Sequence, residues 1–182
     1  TEKFKYFQKV IKILSQIQSI KIKRIKNFKG KNYVIPKYDT KILTRETNLF
    51  YEWYARKELP KKKLVSFTKK FRKITKNLIL HLKFKNNVFV HRDFHVSNLM
   101  YHDKKIAVID SQDAVMGNKA YDLASLIDDV RLKTSNELKE KVFKFYIKTN
   151  KKIDLEKFKK DFEILSVLRN LKIIGIFMRL AE

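Results

Sequence analysis

Three side chains between residues 91 and 110 have the types and spacing needed to transfer a phosphoryl group. Asp93 is followed five residues later by Asn98, and a second carboxylate, Asp110, comes directly after an apolar run. A positioned carboxylate can orient an attacking hydroxyl and accept its proton. Amide and carboxylate oxygens are ligands that Mg²⁺ prefers, and phosphoryl transfer depends on positive charge near the phosphate oxygens. The sequence therefore predicts Asp93 as a catalytic base and Asn98 and Asp110 as Mg²⁺ ligands.

The elements around these residues are of the kind that could hold them. Residues 87–90 (NVFV) are typical of a buried strand, and residues 99–101 and 105–109 predict a β-hairpin. Singly, each polar residue has a plainer explanation, since an Asp or Asn in a loop is commonly a turn or cap residue. His91 and His95 could form a metal pair, but the chain has no cysteine, and His91 ends an apolar strand. The joint spacing is what favours phosphoryl transfer.

Longer stretches of the chain match a known pattern. The runs HRDFHVSNLM (91–100), VIDSQDA (108–114) and YDLASL (121–126) resemble the aminoglycoside phosphotransferase/choline kinase superfamily, which has a protein-kinase-like fold. Residues 35–39, 43–46 and 49–54 most resemble the bacterial kinases that phosphorylate the anomeric hydroxyl of N-acetylmuramate and N-acetylglucosamine in peptidoglycan recycling. The resemblance implies a small-molecule kinase that uses ATP and Mg²⁺, with Asp93 as base and Asn98 and Asp110 on the metal.

The resemblance also implies supporting and substrate-binding residues. Asp122 would brace the catalytic loop together with His91, although a negative charge at the start of a helix is favourable by itself. The candidates for substrate binding are Arg45, Glu46, Trp53, His95, Gln112 and Asp113. Arg45 and Glu46 could instead form a surface ion pair, and Trp53 could be a core aromatic residue.

Two features depart from the family pattern. Ser111 stands where the family usually has a Phe that packs under the metal site. The chain also has only three, widely separated glycines, and no strand-rich region precedes the catalytic loop. Residues 1–182 are therefore interpreted as one C-terminal lobe, with the catalytic loop and metal hairpin at 88–114 and without the N-terminal lobe that covers ATP. Such a chain could be inactive alone, and the missing lobe would be its partner in cis.

Composition narrows the class of protein. The net charge is +24, but the basic residues are mostly lysines scattered along the chain, and no nucleic-acid-binding motif appears. Specific nucleic acid binding is therefore not expected, although nonspecific binding to polyanions is. No apolar run is long enough to span a membrane and no signal-peptide pattern begins the chain, so neither a membrane partner nor export is expected. The predicted location is the cytoplasm.

Apolar periodicity predicts an α+β fold that is mainly α-helical, with a small β-hairpin at the active site. The predicted helices span residues 3–19, 40–59, 61–84, 119–131, 135–149 and 155–181, and residues 21–39 form a basic connection. Three functions remain open: a kinase lobe, a non-catalytic remnant of such a kinase, and a basic nucleic-acid-binding module. Titration with Mg-ATP separates the first two, and salt-dependent gel shifts test the third.

Overall fold

Helices form most of the part of the chain that the computed structural model describes, which is residues 2–22 and 24–182. The helices are α1 (Glu2–Gln18), α2 (Thr40–Leu49), α3 (Arg56–Glu58), α4 (Lys61–Leu80), α5 (Tyr121–Ile127), α6 (Asn136–Thr149) and α7 (Leu155–Leu180). The strands are β1 (Arg24–Lys26), β2 (Asn32–Val34), β3 (Val88–Val90), β4 (Leu99–His102), β5 (Lys105–Val108) and β6 (Val115–Gly117). The predicted mainly helical α+β class is confirmed.

Two predicted helix boundaries were wrong, each for a tertiary reason. The helix predicted to reach residue 84 ends at Leu80, because the amides of Lys83 and Phe84 donate instead to the buried Asp161 at 2.7 and 2.8 Å. The helix predicted over 119–131 spans only Tyr121–Ile127, since the following Asp129 turns toward the catalytic loop and accepts the Val96 amide.

The predicted connection 21–39 contains a regular hairpin. In it β1 and β2 pair antiparallel, with Ile25 opposite Tyr33, and both strands are exposed. Thr1, and Lys23 within this connection, lie outside the described residues.

A small sheet brings the chain before α2 to the catalytic loop. β3 pairs antiparallel with β6, so that Phe89 lies opposite Met116. Residues on either side of Lys37 then join the free edge of β6: the Met116 amide donates to Pro36 at 2.8 Å, and the Tyr38 amide donates to Met116 at 2.9 Å. Neither β6 nor this pairing was predicted. Tyr38 is thereby buried beside the loop.

The contact of α7 with α2 and with the π-helix Phe50–Ala55 is unusually close. A Cβ atom on Gly175 would lie 2.3 Å from the carbonyl carbon of Leu49, so only glycine fits at this crossing. The π-helical turn begins at the next residue, and such widened turns are frequent beside functional sites. The crossing fixes α7 next to the catalytic loop. Within the described residues, no helix is long and apolar enough to cross a lipid bilayer.

Candidate active site

The loop that carries Asp93 begins where β3 ends and is held in place by Asp122. The amides of His91 and Arg92 donate to the two Asp122 carboxylate oxygens at 2.7 and 3.0 Å. Arg92 has a φ of 77°, a left-handed conformation that side chains other than glycine adopt at a cost. The two hydrogen bonds stabilise that turn, and the turn sets the direction that the chain takes from β3 to Asp93.

Asp122 lies in the first turn of α5 and is completely buried. Burial raises the pKa of its carboxyl to about 7, although the two amides that it accepts favour the charged form and oppose the rise. The nearby charge of Asp93 raises the pKa further in the same direction. The group therefore titrates far above the usual range for an aspartate.

Asn98 is tied to Asp93 through the backbone. Its side-chain Nδ2 donates to the Asp93 carbonyl at 2.9 Å, and the Asn98 amide donates to the His95 carbonyl at 3.0 Å. The short 3₁₀ turn Val96–Asn98 results from this arrangement. Because the side-chain Nδ2 of Asn98 is used inside the loop, its side-chain Oδ1 is left to accept a hydrogen bond or to coordinate a metal ion.

Asp110 follows β5 and is joined to the same loop. The Ile109 amide donates to the Asn98 carbonyl at 3.1 Å, and His91 Nε2 donates to the Ile109 carbonyl at 3.0 Å. That bond assigns the proton of a neutral His91 to Nε2. Asp110 itself is exposed, has a φ of 70°, and accepts from Gln112 Nε2 at 2.6 Å.

The donor set of Asn98 and Asp110 fits Mg²⁺. The Asn98 amide oxygen and the Asp110 carboxylate lie on adjoining backbone segments, and Asp110 is open to solvent. Together they would hold the ion and leave room for water and phosphate oxygens as further ligands. Two protein oxygens are too few for tight binding without a nucleotide. Their joint coordination of one ion stays a prediction.

A second set of charged groups meets around Glu46 on α2. Arg92 and Lys172 both pair with its carboxylate, with Lys172 Nζ 3.1 Å from Oε2, and the Tyr38 hydroxyl donates to it. Burial disfavours the charged carboxylate, but Lys172, Tyr38 and Arg92 outweigh it and lower the pKa of Glu46. Through Arg92, the loop that carries Asp93 is thereby anchored to Glu46 on α2.

A small cavity of about 70 Å³ opens beside Asp93. Charged and polar side chains from three parts of the chain line it: Asp93 and His95 from the loop, Arg131 from the segment after α5, and Arg169 and Lys172 from α7. Burial, aided by Arg131, lowers the pKa of His95. The space next to the candidate base is therefore strongly cationic.

The chain was also compared with models of known protein families. A family model described as "Phosphotransferase enzyme family" matches residues 2–158, which include the loop, the hairpin and Asp122. The chain belongs to the phosphotransferase enzyme family.

Three relatives of this chain have the same name. A protein of Neisseria meningitidis serogroup B named N-acetylmuramate/N-acetylglucosamine kinase is 35% identical over 81% of this chain and 46% of its own length. A kinase of the same name from Pseudomonas aeruginosa is 32% identical over 82% of the chain and 46% of its own length. One from Caulobacter vibrioides is 25% identical over 99% of the chain and 51% of its own length. The chain spans about half the length of the curated relatives that it matches.

The structure brings most of the predicted site residues together. Asp93, Asn98, Asp110, His91 and Asp122 all belong to one hydrogen-bonded loop system. Of the predicted substrate-binding residues, His95 lines the cavity beside Asp93, and Gln112 contacts Asp110. Asp113 Oδ1 lies 3.8 Å from Arg92 Nη1, and Glu46 binds the same guanidinium.

Two of the predicted substrate-binding residues lie apart from this system. Arg45 is exposed on α2, and Trp53 is half-buried in the π-helix. The alternative of an Arg45–Glu46 ion pair was wrong, because Glu46 is buried and pairs with Arg92 and Lys172. Ser111 is exposed, and its carbonyl accepts the Ala114 amide at 3.1 Å.

Sequence reasoning assigned no role to the cations of the site. Arg169 and Lys172 are three residues apart on α7, a helix whose inward positions are mostly apolar, so they lie on one face. Two cations within an apolar stripe are a signal that could have located them. Arg92 lies within the sequence His91-Arg92-Asp93, but no ion-pair partner was predicted for it.

Proposed function

We propose that this chain is the acceptor- and metal-binding part of a kinase that transfers the γ-phosphoryl group of ATP to a hydroxyl of an amino sugar. The observation that supports this most directly is the hydrogen-bonded link from Asp93 through Asn98 to Ile109 and Asp110. It joins a candidate base to two Mg²⁺ ligands on a rigid frame. The name that these relatives share supports N-acetylmuramate and N-acetylglucosamine as acceptors.

In this proposal Asp93 orients the sugar hydroxyl and accepts its proton as the oxygen attacks the γ-phosphorus. Asn98 and Asp110 hold Mg²⁺, which, when bound, neutralises charge on the phosphate oxygens. Asp122 and His91 keep the loop in the conformation that places Asp93. A kinase that consumes ATP for these sugars would act in the cytoplasm in cell-wall recycling.

The decisive test is phosphorylation of both sugars by the full protein that contains this chain, with Mg-ATP as donor. Transfer should be detected with at least one sugar, and it should disappear when EDTA removes Mg²⁺. A competent protein also binds Mg-ATP in a calorimetric titration. Normal folding without nucleotide binding would instead identify a non-catalytic remnant.

The isolated 182-residue chain should be a poor kinase. Its only glycines are Gly30, Gly117 and Gly175, so no glycine-rich loop of the type that covers ATP phosphates is present in this sequence. Met100, Tyr101 and Ile109, which adjoin the metal ligands, expose about half of their surface. A turnover near 1 s⁻¹ or above, the lower end for kinases, by the isolated chain would contradict this expectation.

A further inference from the structure

The cavity beside Asp93 contains more positive charge than the proposed chemistry accounts for. Arg131, Arg169 and Lys172 line it together with His95 and with Asp93 itself. Its volume of about 70 Å³ equals roughly two water molecules in the liquid. A carboxylate-sized group therefore fits.

Two of the three cations already have a carboxylate partner. Lys172 Nζ lies 3.1 Å from Glu46, and Arg131 Nη1 lies 3.3 Å from the buried Asp129. Asp129 also accepts the amides of Val96 and Arg131, so it is committed to holding the loop. Both cations therefore have a carboxylate partner within the protein, although Arg131 is also partly open to the solvent.

Arg169 differs from both. Only 5% of its surface is exposed, and its buried Nη1 has no hydrogen-bond partner among the described residues. A guanidinium keeps its charge under all ordinary conditions, and burying an unpaired charge or donor is costly. Because Arg169 lines the cavity, an anion bound there could pair with its guanidinium and offset this cost.

We propose that Arg169, assisted by Arg131, binds a carboxylate carried by the sugar acceptor while the acceptor hydroxyl lies at Asp93. This inference rests on the proposed function and specifies its substrate. Lys172 pairs with Glu46 and Arg131 with Asp129, whereas the buried Nη1 of Arg169 has no partner among the described residues, and an acceptor carboxylate would supply one. Of the two sugars in the relatives' name, N-acetylmuramate carries a carboxylate and N-acetylglucosamine does not.

A phosphoryl group is the other anion that reaches this region, and the two sources are separable. If Arg169 binds the acceptor carboxylate, its loss affects only the carboxylated sugar and acts mainly on KM. If Arg169 instead stabilises the transferred phosphoryl group, its loss lowers kcat for both sugars alike.

The experiment compares Arg169→Gln with wild type in the full protein, using both sugars at saturating Mg-ATP. The KM for N-acetylmuramate should rise about tenfold or more, the scale of one lost charge-assisted hydrogen bond. The KM for N-acetylglucosamine should change less than about threefold. Arg169→Lys should recover part of the loss. Arg179→Gln, which removes the same charge from an exposed position of α7, is the matched control and should behave as wild type.

Direct calorimetric binding of each sugar keeps this inference separate from the proposed function. Arg131→Gln, at a half-exposed side chain, provides a second variant in case Arg169→Gln folds poorly, and it should weaken N-acetylmuramate binding in the same direction. Equal effects on both sugars, or no effect on either, would overturn the carboxylate subsite and leave the kinase proposal standing. If N-acetylmuramate binding depends on Arg169 but neither sugar is phosphorylated, the carboxylate subsite stands and the kinase proposal is overturned.

Discussion

Asp93 and Asp122 are carboxylates on two sides of one loop, and their surroundings differ in almost every respect. Asp122 is completely buried and accepts two backbone amides, those of His91 and Arg92. Asp93 is half-buried and faces a cavity lined by cations. The comparison shows that two carboxylates of the same residue type differ in burial and in hydrogen bonding: Asp122 is used up in holding the loop, and Asp93 is left open to the cavity.

The largest expected effect is on stability, from Asp122→Ala. The substitution leaves two buried amides without an acceptor, and each unsatisfied amide costs roughly 1–3 kcal/mol, so about 3 kcal/mol or more should be lost. Chemical denaturation gives the free energy of unfolding, and activity should fall with it because the Arg92 turn relaxes. An unchanged melting temperature would show that Asp122 does not brace the loop.

The pH dependence of stability sharpens the same comparison. In the unfolded chain Asp122 titrates near 3.8 and in the folded protein at about 7, so the folded state binds the extra proton between these values. The stability contributed by this group is thus complete below about pH 4 and declines as pH rises toward 7. The stability difference between wild type and Asp122→Asn should shrink over this window, and a difference that grows with pH would reverse the assigned sign.

Asp93→Ala should have the second-largest effect, on turnover alone. Loss of the base should lower kcat about 10²-fold or more, the usual scale of acid–base catalysis. Because Asp93 is only half-buried, the melting temperature should stay within about a degree or two of wild type. A large loss of stability in this variant would remove the distinction between the two acids.

A smaller effect is expected at the proposed Mg²⁺ ligands. Asp110→Asn replaces a charged oxygen ligand by a neutral one, and the Mg²⁺ concentration for half-maximal activity should rise about tenfold, equivalent to roughly 1.4 kcal/mol. Asp103→Asn, at the exposed turn of the same hairpin, is the matched control, and Asn tolerates the φ of 47° there. An identical Mg²⁺ dependence in both variants would mean that Asp110 is not a ligand.

Glu46→Gln tests a third environment, a buried carboxylate paired with cations. The variant should lose about 1 kcal/mol at neutral pH, since Arg92 and Lys172 lose their acid partner. The folded-state pKa of Glu46 is lowered, so its contribution is present above about pH 4.5 and disappears as pH falls through the folded-state value. Denaturation curves at pH 7 and pH 3 should therefore show a smaller difference between variant and wild type at pH 3.

Much of the local structure could be predicted from the sequence because it depends on neighbours along the chain. Apolar residues at helical spacing located α1, α6 and α7 within one or two residues. Asp39 caps α2 by accepting the Ile42 amide at 2.9 Å, as a cap residue should. The Asp93–Asn98 spacing and the following hairpin likewise depend only on short-range backbone geometry.

Contacts between distant residues had no such signal. The end of α4 is set by Asp161, 77 residues beyond Phe84, and the edge of β6 is completed by residues near Lys37. The pattern of neighbouring residues does not predict these pairings, because they depend on how the helices and strands pack together.

By itself the sequence determined the chemical groups of the site, their order and the loop that presents them. Only the tertiary structure decided that Glu46 pairs with Arg92 and Lys172, and that Arg169 is left unpaired beside Asp93. The physical reason is the crossing of α7 over α2 at Gly175, whose missing side chain lets the helix backbones touch. That contact places the cations of α7 against the catalytic loop, and no spacing along the chain encodes it.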